Sequence, residues 1–586
     1  MERRFFLAIL LSFAVLYGYQ ALFVPPAPKT QQTVTTPSTT SSATRPVAAN
    51  APSATGAQSA QPAAEPTPAE PAPAEGEANE REIVVDTATV QVVLTNRGGR
   101  VLHWRLKAFK DRAGTQVDLV PTDVPSDQPR PFSLIVNDGT LTQRINSALY
   151  QVSGDTNGHV DATSQPAQLV FEFEGTGGLR VRKEFGFAPS NYLVTFSVSA
   201  SEGARSLQPG IAWGPGLGDA GALAAGGSFF TGNYTQPPEA IFHRDGSWER
   251  VLANKLADRD SMSGQYRYAG VDDHYFIAAA IEPGQGRLDY RPVILAGPGG
   301  TNRSLLAHTV YPSSGAERIR YFVGPKQFDA LQAVDPEFTR AINFGMFRVI
   351  SVPLLSALKW VHSYIGNWGW SIIVLTILIN LAIAPLRHKS VVSMRKMQAL
   401  QPQLKAIQDH YAGLKVTDPA KQKMNTEIMN LYREKGVNPA SGCVPMLLTM
   451  PILFAFYGLL SQAIELRGAE FGLWIRDLSE HDPFYVTPVL MAITMFWQQR
   501  ITPSTADPAQ QKIMMMMPLM FGVMFLWVPS GLVLYWFVGN LWAIGQQYFT
   551  NWMIGPPALA TTTRPPAERR MKSAGAGRTA AADRKT

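Results

Sequence analysis

Cysteine is almost absent: Cys443 is the only one in 586 residues. That excludes an intramolecular disulfide and any zinc or iron–sulfur site built on several cysteines. Charge is scarce too. Asp, Glu, Lys and Arg make up 17% of the chain, against roughly 25% in ordinary soluble domains. Mean hydropathy nevertheless sits near zero, at −0.04. A chain short of charge yet average in hydropathy must be uneven, with apolar stretches offset by polar ones. This excludes a single soluble enzyme domain and a wholly disordered chain. The sequence also lacks H-E-x-x-H, a Walker loop and G-x-S-x-G, the local patterns of metal, nucleotide and nucleophile chemistry. No catalytic residue, metal or cofactor is expected.

What is present falls into blocks. Met1-Glu2-Arg3-Arg4 precedes an uncharged, largely apolar run from Phe5 to Val24, long enough at 1.5 Å per residue to cross a bilayer core. It lacks the small-x-small end of a cleavable signal peptide, so residues 1–24 read as an uncleaved transmembrane anchor with its N-terminus inside. Residues 25–80 are Pro, Ala, Thr, Ser and Gln without an aromatic. They cannot bury enough apolar surface to offset their ordering entropy and read as a disordered tether.

From residue 81 to 324 the pattern turns to short β-rich runs, such as Val90–Leu94, Leu169–Phe173 and Tyr192–Val198. Asn96-Arg97-Gly98-Gly99 and Gly175-Thr176-Gly177-Gly178 punctuate them. This predicts a large all-β sandwich outside the cytoplasm. Gly216-Leu217-Gly218-Asp219-Ala220-Gly221 matches the dinucleotide fingerprint, but in an all-β region it reads as a glycine-rich loop, since the fingerprint needs a βαβ unit.

Past Asp335 the apolar period becomes helical. Phe338, Ile342, Met346, Val349, Leu354, Leu358, Val361 and Ile365 mark an amphipathic helix over 335–365, bent at Pro353. It fits the outer membrane interface or, alternatively, the core of the β-domain. Five further spans follow at Trp368–Leu386, Cys443–Ala463, Phe484–Gln498, Ile513–Val528 and Gly531–Phe549. Residues 387–441 carry ten Lys/Arg against four acids, and 553–586 carry seven against two. Both segments belong in the cytoplasm by the positive-inside rule. The fold expected is thus a polytopic α-helical membrane protein. It has six transmembrane helices, N-in/C-in, and a large all-β domain, placing residues 25–365 of this multi-pass protein outside the cytoplasm.

Within 387–441, Met397, Leu400, Leu404, Ile407 and Tyr411 step as an a/d seam, and Met424, Ile428 and Leu431 supply a second. They predict an antiparallel hairpin whose Met397 and Met424 are either plain core or adaptable partner contacts. The spans contain no Asp, Glu, Lys, Arg or His, which counts against an ion pump. They do hold Thr376 and Asn380, one turn apart, with Thr449, and Trp536 and Asn540, also one turn apart. Such residues make interhelical hydrogen bonds or line a weakly polar cavity. A carbohydrate-binding β-domain on a passive membrane region and a small-solute channel are the rival readings.

Several strings then carry a resemblance. Asn438-Pro439-x-x-Gly442-Cys443-x-Pro445, Met450-Pro451-Ile452, Leu473-Trp474-x-x-Asp477-Leu478, Asp507-Pro508-x-Gln510-Gln511-Lys512-Ile513-Met514 and Pro529-Ser530-Gly531-Leu532-Val533-Leu534-Tyr535 occur in order over 340–552. In these the chain resembles the YidC family of membrane protein insertases, in its form with a large periplasmic domain, from bacteria with an outer membrane. The resemblance implies a supersandwich fold for residues 81–324, a five-helix insertase core over 366–552 and a basic cytoplasmic tail over 553–586. It implies insertion and folding of nascent membrane proteins, alone or with the Sec translocon. Clients would pass through a hydrophilic groove lined here by Thr376, Asn380, Thr449, Met450, Tyr535, Trp536 and Asn540. The cytoplasmic hairpin, with Met397, Leu404, Ile407 and Met424, would engage clients first. Tail and hairpin charge suits ribosome or membrane-lipid contact; DNA is not an expected partner. The family usually carries an arginine five residues before the proline matching Pro385. This chain has Asn380 there.

Overall fold

The computed structural model describes residues 76–555 except 112–113, 123, 126–127, 219–236, 257–260, 297–301, 314–317, 412–419, 438–443 and 503–507. The expected anchor, nearly all of the tether, Cys443 and the tail beyond 555 lie outside the described residues.

Strands run from Glu82 to Pro325. Leu179–Phe187 shows why they form: Leu179, Val181, Phe185 and Phe187 are buried while Arg180 and Arg182 face out, a period of two with one wet face. A five-stranded sheet orders Gln116–Asp118, Arg100–Lys110, Val90–Thr95, Glu82–Thr87 and His159–Ala162. A thirteen-stranded sheet holds the rest, with Leu193–Glu202, Ile319–Pro325 and Phe276–Ala296 as successive neighbours. Trp104 of the smaller sheet donates its indole N–H to the Val323 carbonyl of the larger at 3.1 Å. Phe132 meets Phe185, Phe196, Trp213 and Tyr321 edge-on or tilted in the shared core.

Lys183 lies fully buried in this core. Its ammonium donates to the carbonyls of Gly98, Gly99 and Phe132 at 2.6, 3.2 and 2.8 Å. Burial pushes its pKa well below the usual lysine range. The three acceptors nonetheless match the three N–H donors that only the ammonium offers. They also explain the Asn96–Gly99 turn: Gly98 and Gly99 take positive φ of 74° and 54°, presenting both carbonyls inward.

The domain is not purely β. Helix α1 (Gly139–Ser147) starts where Asp138 accepts the N–H groups of Thr140 and Leu141, and it buries Leu141 and Ile145. Two inward residues are too few for a periodicity to reveal. The described part of the glycine-rich motif, Gly216 to Gly218, is irregular backbone after the strand Gly210–Trp213.

Helix α2 (Phe328–Val334) leads out of the sheet. The single amphipathic helix expected over 335–365 is not formed. Pro336–Ala341 and Gly345–Phe347 are 3₁₀ turns, separated where Gly345 takes φ 63°, and α3 spans only Arg348–Ile365. Asp335, capping the Glu337 N–H, and Pro336 set the tight turn. α3 buries Ser351, Leu355, Leu358 and Val361, while Val349, Trp360 and Tyr364 on the opposite side are 85%, 59% and 75% exposed.

The five following helices are α4 (Trp368–Ala399), α5 (Gln401–His410), α6 (Ala420–Glu434), α7 (Val444–Gln462) and α8 (Val486–Ile501). α9 (Pro508–Met524) and α10 (Ser530–Ile554) complete the region. Among the described residues α4 is the one helix long and apolar enough by itself to cross a membrane; Thr449–Gln462 and Ile513–Trp527 are shorter apolar helices. α4 carries on past Leu386, where the expected span ends, through Arg387 and Lys389. It continues to Ala399 with Pro385 inside.

The sheet domain meets these helices through a set of polar contacts. His274 lies 2.8 Å from the Ser461 carbonyl, and Arg467 covers the rings of Tyr275 and Phe276. Arg250 pairs with Asp272 at 2.9 Å and donates to the Ala341 carbonyl. Burial pushes the His274 pKa down to about 4, so a neutral ring donates to Ser461 at ordinary pH.

Candidate functional site

α4, α8 and α10 run in one direction. Ile372 lies against Gly531, Gln546 donates to the Ala384 carbonyl, and His388 meets Thr550, so the numbering of α4 and α10 rises together. Asn540 reaches Met491 and Thr494, and Trp497 reaches Tyr548, which sets the same direction for α8. α9 returns before α10 and lays Phe521, and Phe525 of the 3₁₀ turn that follows it, on Trp536.

The helices bury several polar side chains within their core and turn apolar ones outward. Thr376, Asn380, Asn540, Gln547 and Thr550 are buried, whereas Ile377, Leu378, Leu381, Ile493, Phe496, Leu519, Met520 and Leu541 are exposed. In water this arrangement is costly; in hydrocarbon it is the favoured one.

The predicted groove residues are distributed as follows. Thr376 donates to the Ile372 carbonyl at 2.6 Å and Asn380 to the Thr376 carbonyl at 2.8 Å, so both bond back to their own helix rather than across it. Tyr535 stacks on Phe456 of α7 with centroids 4.3 Å apart. Trp536 packs edge-on to Phe525 of the 3₁₀ turn after α9 at 5.0 Å and lies tilted on Phe521 of α9. Asn540 bonds across to α8, donating weakly to the Met491 carbonyl and the Thr494 hydroxyl at 3.5 and 3.4 Å. Thr449 is half-buried and Met450 37% exposed on α7. Residues 535, 536 and 540 thus bring α10 against α7, α9 and α8 in turn.

The hairpin packs around Met397, Leu400, Leu404 and Val437, with Met394, Ile428, Leu431 and Tyr432 against them. Met424 is also buried. Ile407 is only half-buried and stands outside that cluster, a correction to the seam. The first arm is also divided: its Met397 belongs to the end of α4, and Leu400 and Pro402 restart the chain as α5.

Two arrangements went unread in the sequence. Arg395 ties the end of α4 to α10 through the Gly555 carbonyl at 2.6 Å and the Asn551 side chain; we had counted it only as a positive charge. Buried Asp482 accepts from the Trp474 indole, the Phe484 and Thr487 N–H groups and the Thr487 hydroxyl at 2.8–3.0 Å. That fixes the start of α8, and Asp482-Pro483 ahead of an apolar run is the signal that marks it.

A strand-rich domain followed by helices that turn apolar faces outward defines a membrane protein with a large folded domain outside its spans. Residues 360–555 match the family described as 60Kd inner membrane protein, and residues 82–357 match the YidC periplasmic domain. Membrane protein insertase YidC of Oleidesulfovibrio alaskensis is 35% identical over 572 residues, covering 94% of this chain and 99% of its own. Its namesake from Geobacter metallireducens is 34% identical over 585 residues, covering 94% and 98%. A crystal structure of an active YidC insertase with its first transmembrane domain resolved covers 81% of this chain and 94% of its own, at 18% identity and a TM-score of 0.32. The chain belongs to the YidC family of membrane protein insertases. The family's members are insertases rather than enzymes.

Proposed function

We propose that this chain inserts nascent membrane proteins into the inner membrane along the inward polar faces of α4, α7 and α10. The carrying observation is the burial of Thr376, Asn380 and Asn540 beneath an apolar exterior, with no charge among them. A client's short polar segment resides there transiently, so its path through hydrocarbon is shortened. Transfer of about 20 apolar residues into lipid then drives insertion without nucleotide hydrolysis. With one N–H bonded to Thr376, Asn380 supplies a second donor and an acceptor in place of the family's usual arginine, keeping the groove hydrated but neutral.

In this reading the protein has six spans, N-in/C-in. Residues 1–24 form the anchor, 25–80 the tether, 81–324 the β-domain, 335–365 the interfacial segment, 366–552 the core with hairpin 387–441, and 553–586 the tail. The shared direction of α4, α8 and α10 supports the alternation this requires. The doubly apolar α3 suits an outer interface. Hairpin and tail carry the charge that a ribosome or anionic lipid would meet, and the Sec translocon is the natural neighbour for clients with several spans.

Topology is testable directly. In a Cys443→Ser background, cysteine at exposed Ser164 should label with an impermeant reagent from the periplasm and cysteine at exposed Lys405 should not; the reverse at either site sinks the six-span arrangement. The groove is tested by photocrosslinking. A photoreactive residue at Met450 or Trp536 should capture a stalled nascent single-span client more strongly than one at Leu541, which faces outward. Equal capture at all three positions would leave no groove to speak of.

A further inference from the structure

Behind α10, on the face away from Trp536 and Asn540, lies a cavity of about 570 Å³ that none of the groove residues lines. At 100° per residue, Leu534, Phe537, Val538, Leu541 and Trp542 share that side of α10. Ile377 of α4 and Leu490 of α8 form its walls, and the turn Phe471–Ile475 covers one end. The lining is apolar save for Thr487, whose hydroxyl is bonded to Asp482, and the indole N–H groups of Trp474, which donates to Asp482, and Trp542.

The covering turn is held from several sides. Gly472 and Ile475 pair across it. Asn367 donates to the Glu470 and Phe471 carbonyls, Trp370 packs edge-on to Phe471, and Trp474 is tethered to Asp482. A Cβ on Gly369 would lie 2.1 Å from the Phe471 ring, so α4 is fitted closely to the turn. Beside it Leu473 is 91% exposed. Arg476, the residue after the lining Ile475, is exposed and forms no ion pair among the described residues.

We infer that this cavity holds one acyl chain of an anionic phospholipid of the outer leaflet, with its phosphate on Arg476. The inference rests on the membrane reading above. Four features select this occupant. Water has few partners on such a lining, and an apolar void left empty forfeits contact energy on every wall. The volume lies within the roughly 300–1,000 Å³ of small-ligand sites. A transmembrane helix about 10 Å across and 30 Å long occupies roughly 2,000 Å³ or more, several times too much. From Leu534 to Trp542 the cavity follows about 12 Å of α10, close to the depth of one hydrocarbon leaflet at about 15 Å. The unpaired guanidinium at the covered end complements a phosphate and gives the site its preference for negative charge.

The test uses the purified full chain, passed from phosphatidylglycerol vesicles into lipid-free detergent and weighed intact by native mass spectrometry. One retained phosphatidylglycerol is expected, and phosphatidylcholine in its place should be retained roughly tenfold less. Ile377→Trp, which fills the cavity, should abolish retention. Arg476→Gln, a surface change that leaves folding untouched, should remove the preference for the anionic lipid. Retention unchanged in both variants overturns the proposal, as does a client segment rather than lipid crosslinking to Leu541. Tryptophan quenching by brominated lipid in vesicles separates the two readings. Quenching with no retained lipid refutes the cavity assignment alone; no quenching at all refutes the membrane reading and the cavity with it.

Discussion

Leu404→Asp should abolish most insertion while leaving the apolar helices assembled. Leu404 is 9% exposed in a cluster with three other buried residues, Met397, Leu400 and Val437. A carboxylate there has no cation to pair with inside the cluster, and burying it costs at least ~3 kcal/mol. So small a core cannot absorb that, and α5 should separate from α6. Ile407→Asp is the matched control: half-buried and outside the cluster, it should cost no more than ~1 kcal/mol and reduce insertion only slightly. The checks are client insertion at equal expression and limited proteolysis of the hairpin. Intact insertion beside a protease-sensitive hairpin would make the hairpin dispensable.

Asn380→Leu should have the second large effect. Asn380 is 8% exposed and bonds back to the Thr376 carbonyl, so it fastens no neighbouring helix. Leucine should therefore leave the assembly standing while removing the donor and acceptor that hold water on that face. Each lost polar contact to a translocated segment is worth about 1 kcal/mol. Insertion of clients with polar translocated segments should drop roughly fivefold to tenfold, and that of wholly apolar clients little. Asn380→Arg restores the residue the family usually has there and should match or exceed the wild type. Measured insertion of paired polar and apolar clients decides it. Equal losses for both would mark Asn380 as a packing residue.

The strands were legible because one wet face imposes alternation, as in Leu179–Phe187. The helices were legible where apolar runs are long, and the chain strings over 438–535 carried the family. Three features stayed hidden for physical reasons. α1 rests on one capping aspartate and two inward residues, below what a period can reveal. The break before α3 depends on Gly345 at positive φ and on the tight turn from Pro336, while the apolar spacing runs on regardless. The division of the hairpin's first arm between the end of α4 and α5 was concealed because the a/d spacing runs through Leu400 without a break. At the site, the sequence showed which residues are polar among apolar neighbours. It did not show that Thr376 and Asn380 bond along their own helix while Asn540 bonds across to α8, because that depends on how α4, α8 and α10 are turned. Asp482 was readable as a cap, Arg395 only as charge.

These arrangements bear on one another. Arg395 and Gln546 bind the C-terminal half of α4 to α10, and the end of α4 carries the hairpin core through Met397. At the opposite end Ser530 and Gly531 donate to the Glu480 and Leu478 carbonyls, seating α10 on the turn region that also begins α8. α10 is thereby held at both ends.

Insertion by the purified chain alone is the most direct test. Reconstituted in liposomes without nucleotide, it should make a single-span client with a short polar translocated segment protease-protected, and Asn380→Leu should lower that yield at equal protein content. Protection no greater than in protein-free liposomes, or a yield indifferent to Asn380→Leu, would contradict insertion through a neutral polar groove.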